Sequence, residues 1–71
     1  MPLSLLGAGK TGTIIRIKGK DEQRRYIESL GFIEGTDVTV ISELGGDLIV
    51  SVRESRIALD RSLANRIIVQ Y

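Results

Sequence analysis

Hydrophobic and polar residues alternate along three stretches of the chain, and each stretch predicts a β-strand. The stretches cover residues 13–18, 37–41 and 48–53. A strand places every second side chain on the same face, so this alternation gives each strand one apolar and one polar face. We expect the core to receive the apolar positions of the last two stretches, which are Val38, Val40, Leu48, Val50 and Val52.

The first stretch departs from strict alternation. We expect Ile15 and Ile17 to point inward, but Ile14 stands directly before Ile15. An apolar residue out of phase indicates either a β-bulge, which inserts one extra residue, or an outer face covered by another element. The sequence allows either arrangement.

A short amphipathic helix is predicted over residues 21–30, between the first two strands. Apolar residues at helical spacing form one side of it, and charged residues occupy the other side. The residues on the first side are Gln23, Tyr26, Ile27 and Leu30.

The residues at the two ends of this helix also fit the prediction. Asp21 is placed as the N-cap, because its side chain can accept a hydrogen bond from a free backbone N–H of the first turn. Gly31 is placed at the other end, because glycine adopts the left-handed conformation that ends many helices. Phe32 would then fold back onto Ile27 and seal the end of the helix.

The second half of the chain predicts two tight hairpins and two further strands. The paired glycines within residues 43–47 suit a hairpin loop, since such turns need positive φ. Only Glu54 and Ser55 separate the third strand from the next apolar stretch, which predicts a second hairpin. The remaining elements are a strand over residues 56–59, one helical turn over 61–65 and a last strand over 66–71.

These elements predict a mostly β fold with about five short strands, a short helix inserted after the first strand and a single helical turn before the last strand. This order is typical of a small SH3-like barrel, which protects its strand edges by closing the sheet on itself. An OB-type barrel is the alternative, but its helix usually lies between the third and fourth strands. We expect residues 1–71 to form a single domain.

The composition argues against several classes of function. Apolar residues make up 42% of the chain and charged residues 27%, and the net charge is +1. This balance disfavours general binding to nucleic acid or to an anionic membrane, which needs a basic excess. No apolar run is long enough to cross a bilayer, so we expect a cytoplasmic protein without direct membrane insertion.

Cysteine and histidine are both absent. Their absence excludes disulfides, thiolate chemistry, imidazole acid–base catalysis and the usual zinc ligand sets. A metal ion would need oxygen ligands, and the carboxylates do not follow the spacing of a calcium loop. No nucleophile is paired with a base. We therefore expect no enzyme, no cofactor, and no catalytic or metal-ligating residues.

The sequence GAGKTGT at residues 7–13 contains the Gly-Lys-Thr that ends a nucleotide-binding P-loop. A P-loop also needs a glycine five residues before Gly9, and Ser4 occupies that position. It must open a helix, whereas a strand follows here. We instead expect Gly7, Gly9 and Gly12 to bend the chain into the first strand. The leucines before them are expected to form a turn that packs under the barrel: Leu3, Leu5 and Leu6.

Four basic residues lie close together in the sequence: Lys18, Lys20, Arg24 and Arg25. They form either a partner-binding face or simply the solvated side of the helix, where interleaved Asp and Glu residues reduce the charge. The chain has only two tyrosines and one phenylalanine, which are too few to pave a polyproline groove or to stack bases.

Four runs of residues together resemble the ferrous iron transport protein A (FeoA) family. They are residues 12–17 (GTIIRI), 24–32 (RRYIESLGF), 35–40 (GTDVTV) and 55–59 (SRIAL). The resemblance implies an SH3-like fold and a cytosolic accessory role in bacterial ferrous iron uptake. It implies a membrane GTPase transporter, ferrous iron transport protein B, as the partner that recruits the chain to the inner face of the membrane.

The sequence is also similar to the C-terminal domain of iron-dependent repressors of the diphtheria toxin repressor type. This similarity implies an alternative function, in which the domain binds or senses transition metal ions. Three positions depart from the FeoA pattern: Glu34 replaces a common proline, Glu54 a hairpin glycine and Ile27 a leucine. A left-handed Glu54 would cost on the order of 1 kcal/mol, which predicts a hairpin that is looser or of another type.

The resemblance does not locate the partner-binding surface. We expect this surface on the predicted helix and the turn after it, because this insertion combines charged and aromatic side chains. The candidate partner-binding residues are Arg24, Arg25, Tyr26 and Phe32.

Overall fold

Five antiparallel strands form one continuous sheet in the computed structural model, which describes all 71 residues. The strands are β1 (Thr11–Ile17), β2 (Asp37–Leu44), β3 (Asp47–Val52), β4 (Ser55–Asp60) and β5 (Ile67–Gln70). Their order across the sheet is β4-β3-β2-β1-β5. One helix, α1 (Asp21–Ser29), connects β1 to β2, and a four-residue helix, α2 (Arg61–Ala64), connects β4 to β5. The predicted mostly β fold, with a helix after the first strand and a helical turn before the last, is confirmed.

The core contains the apolar positions that the alternation predicts in β2 and β3. Val38, Val40, Leu48 and Val50 have no exposed surface, and Val52 is 1% exposed. Burial of a valine or leucine side chain contributes about 1.5–3 kcal/mol, so this shared apolar face is the main source of stability. The same core includes residues from the other elements: Leu3, Leu6, Ile14, Ile17, Ile27, Phe32, Leu59, Ala64, Ile67 and Val69.

β1 contains a β-bulge at Ile15. Ile14 pairs with Val69, but Arg16 pairs with the adjacent Ile68, so Ile15 is an extra residue in β1. The extra residue shifts the alternation by one position. Ile14 is therefore buried and Ile15 is 47% exposed. The prediction that Ile15 points inward is wrong, whereas a bulge is one of the two arrangements that the sequence allows.

The first hairpin is tighter than the predicted loop over residues 43–47. β2 extends to Leu44 and β3 begins at Asp47, and these two residues pair with each other. Only Gly45 and Gly46 therefore form the loop. Gly45 has a φ of 61°, which a residue with a side chain rarely adopts.

The second hairpin has its left-handed residue one position earlier than predicted. Ser55 already pairs with Val52, so the loop consists of Arg53 and Glu54. Arg53 has a φ of 54°, and Glu54 is not left-handed. The hairpin is therefore not looser but of another type: the turn is tight, and Arg53 adopts the unfavourable conformation in place of Glu54.

The segment before β1 forms a 3₁₀ turn, Leu3–Leu5, that packs under the sheet as predicted. Leu5 is an exception, since it lies on the outer side of the turn and is 66% exposed, whereas Leu6 is buried. The Ser4 hydroxyl donates a hydrogen bond to Asn65 Oδ1. This bond ties the turn to the residue that follows α2.

Gly12 lies inside β1 and not in a bend. Gly7 and Gly9 have φ values of 95° and 86° and do bend the chain. At Gly12, a Cβ atom would lie only 3.1 Å from Val69 Cβ and 3.2 Å from the carbonyl oxygen of Gln70. The absence of a side chain at Gly12 therefore allows β1 and β5 to approach closely, which corrects the predicted role of this glycine.

Alanine substitutions at the two adjacent isoleucines of the bulge test this phase of burial. Ile14→Ala should lower the free energy of unfolding by about 2–5 kcal/mol, because it leaves a cavity in the core. Ile15→Ala removes the same atoms from an exposed position and should change it by less than about 0.5 kcal/mol. Urea denaturation of the two variants checks both values, and equal losses would contradict the bulge.

Candidate partner-binding site

Lys20, and not Asp21, is the N-cap of α1. Its backbone is extended, with φ −73° and ψ 163°, and its N–H donates to Gln23 Oε1 at 3.2 Å. Asp21 and Glu22 lie in the first turn, where their charges interact favourably with the helix dipole. The predicted N-cap is therefore wrong by one residue, because Gln23 satisfies the preceding N–H and the helix begins at Asp21.

α1 is attached to the sheet by a small part of its surface. Ile27 is its one buried residue, and Leu30, directly after it, is partly buried against the core. Gly31 ends the helix as predicted, with a φ of 107° and an N–H that donates to the Glu28 carbonyl at 2.9 Å. Phe32 then enters the core. The rest of the helix surface faces solvent and is free to contact another molecule.

The charged face of α1 carries residues of both signs. Arg24 forms an ion pair with Asp21, one turn earlier, and their side chains are 48% and 72% exposed. A pair this exposed contributes little to stability, because solvent screens it. Arg25 and Glu28 complete a shallow depression with this pair. The face therefore offers fixed charges of both signs, and it is not a basic patch.

Tyr26 lies on a second face of α1, beside α2. Its side chain is 55% exposed, although the helical periodicity places it with the apolar residues. A groove of about 450 Å³ separates the two helices, with Tyr26 and the half-buried Leu63 as its apolar residues. The polar residues that line it are Glu22, Gln23, Asp60, Ser62 and Arg66. The groove thus combines charges of both signs with an exposed tyrosine and an arginine, two residue types that are enriched at protein interfaces.

The residues that the sequence predicts for the site include none from the α2 side of this groove. Leu63 and Arg66 come more than thirty positions after Tyr26 and carry no motif of their own. Asp60 is the N-cap of α2, and its carboxylate accepts a hydrogen bond from the Leu63 N–H at 2.8 Å. The fold alone places them near α1, so no local sequence signal identifies them.

Phe32 does not belong to the surface. Its side chain has no exposed area and is the largest of the fully buried ones. It cannot contact a partner directly in this conformation, so its inclusion among the partner-binding residues is corrected. Ile33, the next residue, is 40% exposed and provides the apolar surface in the turn after α1.

The Gly-Lys-Thr sequence has the geometry of a strand entry and not of a phosphate-binding loop. The Gly9 N–H donates to the Val40 carbonyl at 2.7 Å, and the Val40 N–H donates to the Lys10 carbonyl at 3.0 Å. The Thr11 hydroxyl bonds to that of Thr39 at 2.7 Å. The N–H of Gly9 and the hydroxyl that a P-loop uses for phosphate and magnesium are thus already engaged with β2.

Lys10 contacts an aromatic ring instead of standing alone in solvent. Its Nζ lies 5.4 Å from the centroid of the Tyr71 ring, within the range of a cation–π interaction. Tyr71 is 73% exposed, so this contact is a surface one. In a P-loop the Lys10 side chain would reach a terminal phosphate, whereas here it is directed toward Tyr71.

The chain provides few groups for catalysis or metal binding. Nowhere do three His, Cys, Asp or Glu side chains converge as a metal site requires. Every buried side-chain nitrogen or oxygen already has a hydrogen-bond partner, so none is held in reserve for a ligand.

None of the helices is both long enough and apolar enough to cross a bilayer.

Comparisons with known proteins agree on one family. The model of the FeoA domain family matches residues 1–71. A crystal structure of an iron uptake regulatory protein, FeoA, superimposes with a TM-score of 0.90 at 34% identity, covering 99% of this chain and 95% of that one. No functionally curated protein is significantly similar in sequence.

Two further structures relate this fold to metal-binding proteins. FeoA from Stenotrophomonas maltophilia, solved with zinc and described as an SH3 domain protein, has a TM-score of 0.86 at 29% identity and covers 99% of this chain and 89% of that one. A manganese-dependent transcriptional repressor in complex with manganese has a TM-score of 0.89 at 26% identity, and the match covers 99% of this chain and 35% of the repressor. The predicted SH3-like fold is confirmed.

The engaged backbone of the Gly-Lys-Thr sequence predicts that guanine nucleotide does not bind the isolated chain. Addition of GTP with Mg²⁺ should leave the amide NMR shifts of residues 7–13 unchanged, because the Gly9 N–H is not free to bind phosphate. A saturable shift of Gly9 or Lys10 with GTP, absent with Mg²⁺ alone, would contradict this prediction.

Proposed function

Because the chain belongs to the FeoA family, a family of ferrous iron transport, we propose that it is a non-enzymatic accessory protein. It acts by binding the membrane GTPase transporter of bacterial ferrous iron uptake, ferrous iron transport protein B. The single observation that carries the proposal is the match of the FeoA family model over residues 1–71.

The exposed faces of α1 support a role in protein–protein contact. Tyrosine and arginine are enriched among the residues that dominate binding energy at interfaces. Tyr26 provides a large ring beside the groove, and Arg25 has no ion-pair partner within the chain. Arg24 forms an exposed ion pair with Asp21. We place the partner contact on these three residues and on the α2 side of the groove.

The location of the chain follows from this role. We propose that it resides in the cytoplasm and is recruited to the inner face of the membrane by the transporter. With a net charge of +1 it has little attraction of its own for anionic lipid. Recruitment thus depends on the protein partner and not on the bilayer.

A metal-sensing role is the second candidate, suggested by the zinc-bound and manganese-bound relatives. The usual zinc ligands, histidine and cysteine, are absent from this chain. Manganese prefers carboxylate ligands. The carboxylates of the chain do not gather in groups of three. The residues present favour the interaction module over the sensor.

Removal of the two arginines of α1 tests the proposed contact. Arg24→Ala with Arg25→Ala should weaken binding to the full-length transporter in detergent by about tenfold or more, because interface arginines lose both charge and contact area. The thermal stability of the double variant should stay close to that of the parent chain, since only an exposed ion pair is lost.

The matched control is Lys10→Ala with Arg16→Ala, which removes the same charge from exposed positions outside α1. Its affinity for the transporter should change by less than about threefold, as expected for a loss of long-range attraction alone. Equal losses of affinity in the two double variants would show that binding depends on the net charge of the chain and not on the arginines of α1. Unchanged binding of the α1 variant would contradict the proposed surface.

A further inference from the structure

The two edges of the sheet differ in how they are protected. On the outer side of β5, the Val69 N–H donates to the Met1 carbonyl at 2.7 Å, and the Met1 amino group donates to the Val69 carbonyl at 2.9 Å. Pro2 forms a bridge with Ile68 in the same segment. β4 pairs with β3 on its inner side, and no strand or bridge covers its outer side. The β4 edge is thus the one uncovered edge of the sheet.

The register of the second hairpin determines which backbone groups of β4 are free. A two-residue turn joins Val52 to Ser55, and such a turn makes this pair a hydrogen-bonded one. The pairs then alternate along the strands, so Ser55, Ile57 and Leu59 direct their N–H and C=O groups toward β3. Their neighbours direct theirs outward, and these are Arg56, Ala58 and Asp60.

The β4 edge carries few of the features that prevent strands from pairing between molecules. It has no proline, no lysine and no bulge against β3. Such features normally protect an uncovered edge. The side chains of Arg56, Ala58 and Asp60 are all exposed, and the central one is a small alanine that leaves room for a neighbouring strand. The edge is therefore open to a second strand.

The two charges on this edge are unbalanced within the chain. Arg56 lies opposite Ser51 in β3, and Asp60 lies opposite Asp47, a residue of the same charge. Neither Arg56 nor Asp60 takes part in an ion pair. Like charges placed directly opposite each other destabilise a sheet. A positive charge beside Asp60 would therefore be favourable.

We infer that two copies of the chain pair through their β4 edges, antiparallel and around a two-fold axis at Ala58. In this register Ala58 faces the partner's Ala58, and Arg56 faces the partner's Asp60. Ala58 then exchanges both N–H···O=C bonds with the partner's Ala58, and the Asp60 N–H donates to the partner's Arg56 carbonyl. The Asp60 carbonyl instead accepts the first intrahelical bond of α2. The same register places opposite charges together on the solvent face and relieves the contact between Asp60 and Asp47. One register thus provides both backbone hydrogen bonds and charge pairs.

The pairing joins two sheets edge to edge and buries a small area, so the dimer is weak. Sedimentation equilibrium of the wild-type chain should show a mass that rises toward twice the monomer mass as the concentration approaches about 1 mM. Ala58→Pro removes an outward N–H that the monomer does not use, and it should abolish this rise while the circular dichroism spectrum is retained. A wild-type chain that stays monomeric at this concentration would overturn the inference.

A charge variant provides a second test that does not depend on proline. Arg56→Asp places an acid opposite the partner's Asp60 and should weaken dimerisation by about tenfold. Arg53→Asp makes the same change of charge in the turn, outside the paired residues, and should weaken it by less than about threefold. Equal effects of the two variants would overturn the proposed register.

Amide hydrogen exchange identifies the surface directly. The Ala58 and Asp60 amides of the wild type should become protected as the concentration rises, and the Asp60 amide of Ala58→Pro should not. A dimer in which these amides stay unprotected would show that another surface pairs. Protection at low concentration on addition of the transporter, without any dimer, would show that the edge takes a foreign strand; both results would overturn the pairing of two copies.

Discussion

Antiparallel pairing of β1 with β5 joins the two ends of the chain, and the arrangement of the rest follows from it. Ile14 lies against Val69 in this pair, and Gly12 permits the strands to approach closely. Directly beyond β1, the Lys18 N–H donates to the Arg66 carbonyl at 2.8 Å. Since α1 follows β1 and α2 precedes β5, this contact brings the two helices together and creates the groove between them.

The groove and the β4 edge present different chemical groups to another molecule. The groove presents side chains, with Tyr26 and Leu63 as apolar contacts among charges of both signs. The β4 edge presents backbone groups, which give affinity through hydrogen bonds and select a register through charge. A weak self-association becomes significant where two copies are held close together, because tethering raises their effective concentration to the millimolar range. Binding to a shared partner would provide such a condition.

Local patterns in the sequence were sufficient to predict the helices and strands, but not which residues point inward at a bulge or which residue of a turn is left-handed. The alternation identifies the buried residues of β2 and β3, because Val38 and Val40 precede the register shift of β2 between Val40 and Ser42, and β3 keeps one face toward the core. It fails at Ile15, because a bulge depends on pairing with Ile68 and Val69, which are distant in the chain. The sequence also predicts the wrong left-handed residue in the second hairpin. Whether Arg53 or Glu54 has a positive φ depends on which residues pair across the turn, and Val52 pairs with Ser55.

The same distinction applies to the candidate site. Arg24, Arg25 and Tyr26 share one exposed helix, so the sequence could identify them together. For Phe32 the sequence supports two predictions, packing onto Ile27 and contact with a partner, and the sheet beneath it decides in favour of burial. Leu63 and Arg66 could not be predicted, because they reach the groove only through the pairing of β5 with β1.

Binding of two tyrosine variants to the full-length transporter tests the central claim most directly. Tyr26 and Tyr71 are both exposed, at 55% and 73%, and both lie outside the core. The account predicts that Tyr26→Ala weakens binding by about tenfold or more, because an aromatic contact at the groove is lost, whereas Tyr71→Ala leaves it within about threefold. Equal affinities of the two variants, or a larger loss for Tyr71→Ala, would contradict a partner site between α1 and α2.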